Sequence, residues 1–351
     1  MAADGSNISI VMMENKTLVC RKPGELVYSA EKLSPLAAAH TLLKIKRIGI
    51  CGTDLHAFGG SQPYFTYPRV LGHELAAEVV SSSDPERFEP AETVTIMPYL
   101  NCGICLACRS GKTNCCSAMQ VFGVHRDGGM AEYLQVPTRL VIKGQGLSLD
   151  ELALVEPLAI GAHGIRRAGV TPGEFVLVIG AGPIGLGAME FARIAGAKVI
   201  AMDTNAGRLD FCQKNLKVEH IIHAIHDDVN AMLMEITGGD MPSVVIDATG
   251  NLNAINGAFQ YMAHGGRFVL IGLQKGDISF SHPEFHKREA TLMSSRNATA
   301  EDFNQVISAM KNKLVNPLLY ITHRTSFDQL AADFPSWLDP ENGVIKAMVL
   351  L

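Results

Sequence analysis

Residues 180–185, Gly180-Ala181-Gly182-Pro183-Ile184-Gly185, close a continuous apolar run and open a segment with helical spacing. The run before them, FVLVIG, has the character of a strand buried on both faces. Pro183 suits a first helical turn, where its missing N–H has no partner to lose. The alternation continues. Strands are expected at KVIAMD, at 220–223, at SVVIDATG, at GRFVLIG and at TLMSS, with helices at 183–196, 206–215, 228–237 and 253–263. Strand–helix alternation of this length specifies an α/β fold with a doubly wound parallel sheet.

The turn fits G-x-G-x-x-G, weak by itself but here in the right context, after a strand and before a helix. Gly180 permits the tight turn, Gly182 lets a pyrophosphate approach the backbone, and Gly185 lets helix and strand pack closely. The helix N-terminus adds free N–H groups and positive dipole. Asp203 ends the next strand and can accept hydrogen bonds from ribose hydroxyls. Its charge disfavours a 2′-phosphate, so NAD is expected over NADP. Arg208 works the other way, unless it merely stands on a solvated helix face.

Up to about residue 155 the texture differs. Short β-rich runs such as 41–50 and 93–97 are separated by Gly, Pro and Asn, and helical periods are scarce, which reads as an irregular β-rich domain. The 351 residues suit two domains. With 47% apolar and 19% charged residues the chain is an ordinary globular mixture. A net charge of −5 gives no basic face for nucleic acid. No run reaches the ~18 apolar residues of a membrane span. The opening MAADGSNISIVMMENK has no basic leader, so a cytoplasmic protein is expected.

Five of the eight cysteines lie in one window. Cys102, Cys105, Cys108 and either Cys115 or Cys116 can supply four thiolates to a tetrahedral Zn²⁺. Four protein ligands leave no open position, so this would be a structural site. Iron–sulfur ligation uses the same residue type, but nothing else suggests electron transfer.

Three more segments hold ligand-type residues: Cys51 to His56, Gly72-His73-Glu74, and Glu156 before Pro157. Together with the cysteine lobe and the glycine turn, in this order, they resemble the zinc-dependent medium-chain dehydrogenase/reductase family over essentially the whole chain. The resemblance implies a GroES-like catalytic domain at 1–157 and 297–351, with a structural zinc lobe at 101–117, and a Rossmann NAD-binding domain at 158–296. It implies Cys51, His73 and Glu156 as ligands of a catalytic zinc, Glu74 as a carboxylate that exchanges on and off that metal, and Asp54 as the acid that orients the histidine. Thr53 and His56 resemble a proton relay. Cys116 matches the fourth structural ligand. Thr249 and Arg296 join Gly180, Gly182, Pro183, Ile184, Gly185, Asp203 and Arg208 as cofactor residues. Two zinc ions per chain follow, one position of the catalytic ion being open to water or substrate. Ala77, and Ala91 before Glu92, replace glycine (and Gly-Asp) usual in the family, which leaves the backbone path from 75 to 92 open.

Within the family, ICGTDLHAFGGSQPYFTYPRVLGHE, CRSGKTNCC, GVHRDGG and EFHKREATLMSSRNAT are nearest to the polyol and sugar-acid branches, whose reaction is oxidation of a secondary hydroxyl. A sugar acid needs a cation or several donors for its carboxylate. His125, Arg126, Arg296 and Asn297 are candidates, although His125 and Arg126 could equally hold their own loop. A homodimer or homotetramer is implied by resemblance. Sorbitol, L-idonate and L-threonine remain alternative substrates. A zinc-free reductase of the same fold would lack the catalytic ligands. A non-catalytic zinc module would need neither the glycine turn nor Thr53 and His56.

Overall fold

The computed structural model describes residues 14–62 and 65–351; the segment read above for a leader lies largely outside them. The chain divides into two units, Met1–Glu156 with Ile307–Leu351, and Pro157–Val306.

The first unit is built on a seven-stranded sheet. Its order is Val141–Lys143, Thr93–Ile96, Glu74–Ser82, His40–Ile50, Lys346–Leu350 and Ile321–Ser326, with Tyr133–Pro137 also paired to His40–Ile50. The C-terminal strand runs antiparallel to His40–Ile50, placing Ala347 opposite Ile50 and Met348 opposite Gly49. Its residues 346–349 are all buried, as a strand inside a sheet requires. Leu18, Leu43, Ile45, Leu75, Val94 and Phe334 belong to the core. A smaller sheet pairs Glu14–Lys22 with Glu25–Lys32 and Arg69–Val70.

Helices also interrupt the β-rich texture of this unit, and one of them carries site residues. Gly52–Phe58 is helical. At seven residues it is too short to show an apolar period. It starts because the Asp54 carboxylate, at the third helical position, accepts the N–H of Cys51, which a first helical turn otherwise leaves unpaired.

The second unit is a six-stranded parallel sheet, ordered His220–His223, Lys198–Asp203, Phe175–Ile179, Val244–Asp247, Arg267–Leu270 and Thr291–Ser294. In chain order this is 3-2-1-4-5-6, and ligands of such sheets bind where the order reverses, beyond the first and fourth strands. The glycine turn follows the first and Thr249 follows the fourth. The middle of the sheet is apolar: Leu177, Ile200, Val245 and Phe268 are fully buried. The helix expected over 253–263 stops at Ala258 and tightens into a 3₁₀ turn, Phe259–Tyr261.

The return to the first unit falls at Ile307, inside helix Ala300–Lys311, and not at 297. The reason is Asp302. It is fully buried and accepts hydrogen bonds from Arg166 Nε at 2.7 Å and from Thr299 N–H at 2.8 Å, and lies 2.9 Å from His163 Nδ1. These bonds tie the first turn of that helix to the second unit. Among the described residues no helix is long and apolar enough to cross a membrane.

Candidate active site

Ligand-type atoms of Cys51, His73 and Glu74 lie within 4.8 Å of one another. Cys51 ends the loop before helix Gly52–Phe58, and Glu74 begins its strand with His73 just before it. Asp54 joins the two segments. One carboxylate oxygen accepts Cys51 N–H at 2.9 Å and the other accepts Gly72 N–H at 3.2 Å. Asp54 Oδ1 is 3.7 Å from His73 Nδ1, too far for a hydrogen bond, so this acid fixes the backbones that carry the ligands more than it fixes the imidazole.

Glu156 stands outside that cluster, a departure from the ligand set the family pattern implied. It is buried, and the Tyr99 hydroxyl donates to its Oε1. Burial raises Glu156, with His73 pulling the other way. Burial and the neighbouring Glu156 push Tyr99 well above its usual value, so it remains a phenol and a donor. Burial opposes protonation of His73, but Asp54, Cys51 and Glu156 outweigh it and hold the imidazole well above its ordinary range.

Lys346 is one of the residues that sequence reasoning missed. It is fully buried on the C-terminal strand, and its ammonium donates to both oxygens of Glu74, at 2.6 and 2.7 Å, and to the carbonyl of Ile50 at 3.0 Å. These bonds use all three of its donors. Burial would lower Lys346, but Glu74 and Cys51 keep it charged. An isolated lysine in KAMVL gives no sign of this; only the register of the sheet does.

A soft thiol, an imidazole and carboxylates are the donor mixture zinc takes. His73 Nδ1 is buried with no hydrogen-bond partner. The residues fit a zinc ion. The lobe fits one too. Cys102, Cys105, Cys108 and Cys116 bring their sulfurs within 4.8 Å, while Cys115 is exposed and outside the group. Backbone N–H groups point at the sulfurs: Cys102 N–H at Cys116 Sγ, 3.2 Å, and Cys105 N–H at Cys102 Sγ, 3.4 Å. N–H groups of Cys108 and Ser117 pull the Cys105 thiol down to about 5.

In the second unit the glycine turn has the form of a dinucleotide cradle. Gly180 has φ +99°, and a Cβ there would meet Thr249 Cγ2 at 2.8 Å. A Cβ on Gly185 would sit 1.8 Å from the Gly180 carbonyl. At Gly182 the space is open except for Arg208 Nη1 at 3.9 Å, and no side chain caps the helix that Pro183 and Ile184 begin. Arg208 is therefore half-buried over the turn. Asp203 accepts the N–H of Ala181 at 2.6 Å and of Asn205 at 2.8 Å. Buried Asp247, which sequence reasoning passed over, accepts from Thr249 Oγ1 at 2.5 Å and from Gly250 N–H at 3.1 Å, and so fixes the loop beside the turn. These groups fit a nicotinamide dinucleotide.

Thr53 and His56 sit three residues apart on one helix, half-buried and exposed. His56 Nδ1 meets Ser61 Oγ at 3.0 Å, a partner not foreseen from sequence. His125 Nδ1 accepts Val121 N–H at 3.1 Å, a bond that holds its loop, and Arg126 is exposed. Arg296 is exposed; Asn297 has φ +54° and a buried Nδ2 without a partner.

Residues 37–146 match the family described as alcohol dehydrogenase GroES-like domain, and residues 183–312 match that described as zinc-binding dehydrogenase. L-galactonate-5-dehydrogenase of Escherichia coli K12 is 42% identical over 339 residues, covering 96% of this chain and 99% of that protein. The chain is a zinc-type medium-chain dehydrogenase/reductase. Solved structures of the family superpose closely. The rspB alcohol dehydrogenase of E. coli CFT073, complexed with NADH, has a TM-score of 0.89 at 28% identity, covering 96% of this chain and 99% of that one. L-idonate 5-dehydrogenase of E. coli K-12 has a TM-score of 0.88 at 25% identity, covering 97% and 99%. Like other zinc-type alcohol dehydrogenases, the chain is an oxidoreductase for a small-molecule substrate, with its GroES-like part in the first unit and its Rossmann sheet in the second.

Proposed function

We propose that the chain oxidises a secondary hydroxyl of a sugar acid, L-galactonate to D-tagaturonate, using NAD⁺ and two zinc ions per chain. The observation that carries this reading is the 42% identity with L-galactonate-5-dehydrogenase across 99% of that protein. When bound, zinc acidifies the alcohol it meets and NAD⁺ accepts the hydride. In this reading Cys51, His73 and Glu156 hold the catalytic zinc, and Cys102, Cys105, Cys108 and Cys116 the structural one.

The remaining work belongs to protein groups. Thr53 relays the hydroxyl proton, giving up its own as it accepts the substrate's, and His56 is the base at the end of the relay, its ring oriented by Ser61. His125 accepts at Nδ1, so its proton sits on Nε2 and makes it a donor toward substrate oxygens. Arg126 supplies a cation for the carboxylate, and Arg296 and Asn297 serve the nicotinamide and substrate side. Gly182 and the helix after it take the pyrophosphate, and Thr249 lines the turn. The Asp203 carboxylate accepts from the ribose and disfavours a 2′-phosphate, giving NAD⁺ over NADP⁺ despite Arg208. A homodimer or homotetramer completes the reading.

The test is NADH production across L-galactonate, other hexonates, hexitols and L-threonine, with either nucleotide. The expected order puts L-galactonate first in kcat/KM and NAD⁺ above NADP⁺. A higher kcat/KM for L-threonine or a hexitol overturns the substrate. The fold likeness to L-idonate 5-dehydrogenase supports L-idonate as the second reading.

A further inference from the structure

A dinucleotide lies across both halves of a sheet ordered 3-2-1-4-5-6. The glycine turn and Asp203 serve one half, so the carboxyl ends of the fourth, fifth and sixth strands serve the other. At the first two of these ends the polar groups are already engaged. Asp247 accepts from Thr249 Oγ1 and from Gly250 N–H. A Cβ on Gly272 would sit 2.1 Å from Gly250 N and 2.7 Å from Asp247 Oδ2, so the loops after the fourth and fifth strands close on each other.

The sixth strand, Thr291–Ser294, ends differently. Ser295 Oγ and Asn297 Nδ2 are buried atoms with no hydrogen-bond partner among the described residues, and Ser295 as a whole is 8% exposed. An unpaired buried polar atom is costly and native chains keep few of them. Two on one short segment mark a place where something other than the chain supplies the partner.

That segment is fixed at both ends. Ser295 N–H donates to the Leu270 carbonyl of the fifth strand at 2.8 Å. Beyond Asn297, Thr299 N–H donates to buried Asp302 at 2.8 Å, and Arg166 donates to the same carboxylate. Asn297 itself has φ +54°, a region asparagine enters more readily than most residues. The two polar atoms are therefore held in place without a ligand. Both are neutral. A carboxylate calls for a cation, whereas a primary amide calls for one donor toward its oxygen and one acceptor for its N–H. Asn297 Nδ2 can only donate, and a serine hydroxyl can accept.

We propose that Ser295 and Asn297 read the carboxamide of the nicotinamide ring, the Ser295 hydroxyl accepting from its N–H and the Asn297 amide donating to its carbonyl oxygen. The carboxamide is the hydrogen-bonding handle on that ring, so holding it sets which face the ring presents. The proposal rests on the dinucleotide reading of the glycine turn, and not on the substrate assigned above.

Isothermal titration calorimetry on the zinc-loaded enzyme as prepared tests it without turnover. The ligands are NADH, the reduced 3-acetylpyridine analogue, in which a methyl group replaces the amide nitrogen, and ADP-ribose, which lacks the ring. Wild type is expected to bind NADH about 10-fold more tightly than the analogue, the scale of one hydrogen bond. S295A is expected to weaken NADH about 10-fold and to leave the analogue and ADP-ribose unchanged, which closes that gap. N297G, which keeps the positive φ, is expected to weaken NADH and the analogue alike about 10-fold and to spare ADP-ribose. Ligand-free S295A should melt at or above wild type, because it gives up a hydroxyl that nothing in the fold pairs, and it carries the test if N297G does not fold. Unchanged NADH binding by S295A, or weakening of ADP-ribose by the same factor as NADH, would overturn the proposal. So would a lower melting temperature of ligand-free S295A. Failure of the cofactor reading has its own signature, a wild type that binds neither NADH nor ADP-ribose, and it would take the proposal with it.

Discussion

Gly49 and Glu74 face each other on adjacent strands with no room for a side chain between them: a Cβ on Gly49 would sit 2.1 Å from Glu74 Oε2 and 3.0 Å from Glu74 Cβ. Gly49 has no need of a special backbone conformation. It is glycine because a carboxylate occupies the space above it, on its way to Lys346.

Gly49→Ala should therefore behave as an overpacked core substitution, costing about 1–3 kcal/mol. Denaturant unfolding measures it. In an E74A background the same change should cost at least ~1 kcal/mol less, since residues in contact couple on that scale. An equal cost in both backgrounds would separate Gly49 from Glu74.

Asp302 gives a prediction with a pH sign. Burial would raise its pKa, but His163, Arg166 and the Thr299 N–H outweigh this and hold it far below the usual carboxylate range. A depressed folded pKa contributes stability that is present in full above the unfolded value, about 3.9, and lost as pH falls toward the folded one. Asp302→Asn should cost about 3 kcal/mol at pH 7, the scale for breaking a buried pair. The difference from wild type should narrow steadily below about pH 4. A difference that stays constant from pH 7 to pH 3 would mean packing, and not charge, is what Asp302 supplies.

Much of this was legible in the chain, for physical reasons that can be named. Buried parallel strands are nearly all apolar, so FVLVI and KVIAMD stand out, and the glycine turn between them needs three small residues at fixed spacing. Cysteines are rare enough that the lobe announces itself. The helix Gly52–Phe58 left no trace because one face of two turns carries too few residues to show a period. Lys346 and Tyr99 were invisible for another reason. Their roles come from strand register and burial across 272 and 57 residues of sequence, and a single lysine or tyrosine looks the same on a surface.

Ala91 stands where the family usually has glycine, and its φ is +66°. The chain keeps the turn, with Ala91 N–H donating to the Val79 carbonyl at 2.8 Å, but an L residue is strained in that region. Ala91→Gly should stabilise the protein by about 0.5–1 kcal/mol, the relief of strain exceeding the extra unfolded-state entropy. Ala91→Val should destabilise it, because a branched side chain tolerates positive φ less well. Unfolding midpoints of the three proteins check the order Gly, Ala, Val, and an inverted order would show that the turn relaxes at no cost.

The lobe separates two adjacent cysteines. Cys116 Sγ lies with those of Cys102, Cys105 and Cys108 and accepts the Cys102 N–H, while Cys115 is exposed and stands outside the group. A four-thiolate zinc site contributes folding energy to the segment that forms it, so losing one ligand should release both the metal and the loop. Cys116→Ser is expected to lower zinc content by one ion per chain and to open residues 101–117 to limited proteolysis, while the Rossmann unit still binds NADH with its fluorescence enhancement. Cys115→Ser should match wild type in zinc content, proteolysis and NADH binding. Elemental analysis after gel filtration reads the first quantity directly. Retention of full zinc by the Cys116 variant, or its loss from the Cys115 variant, would reassign the fourth ligand.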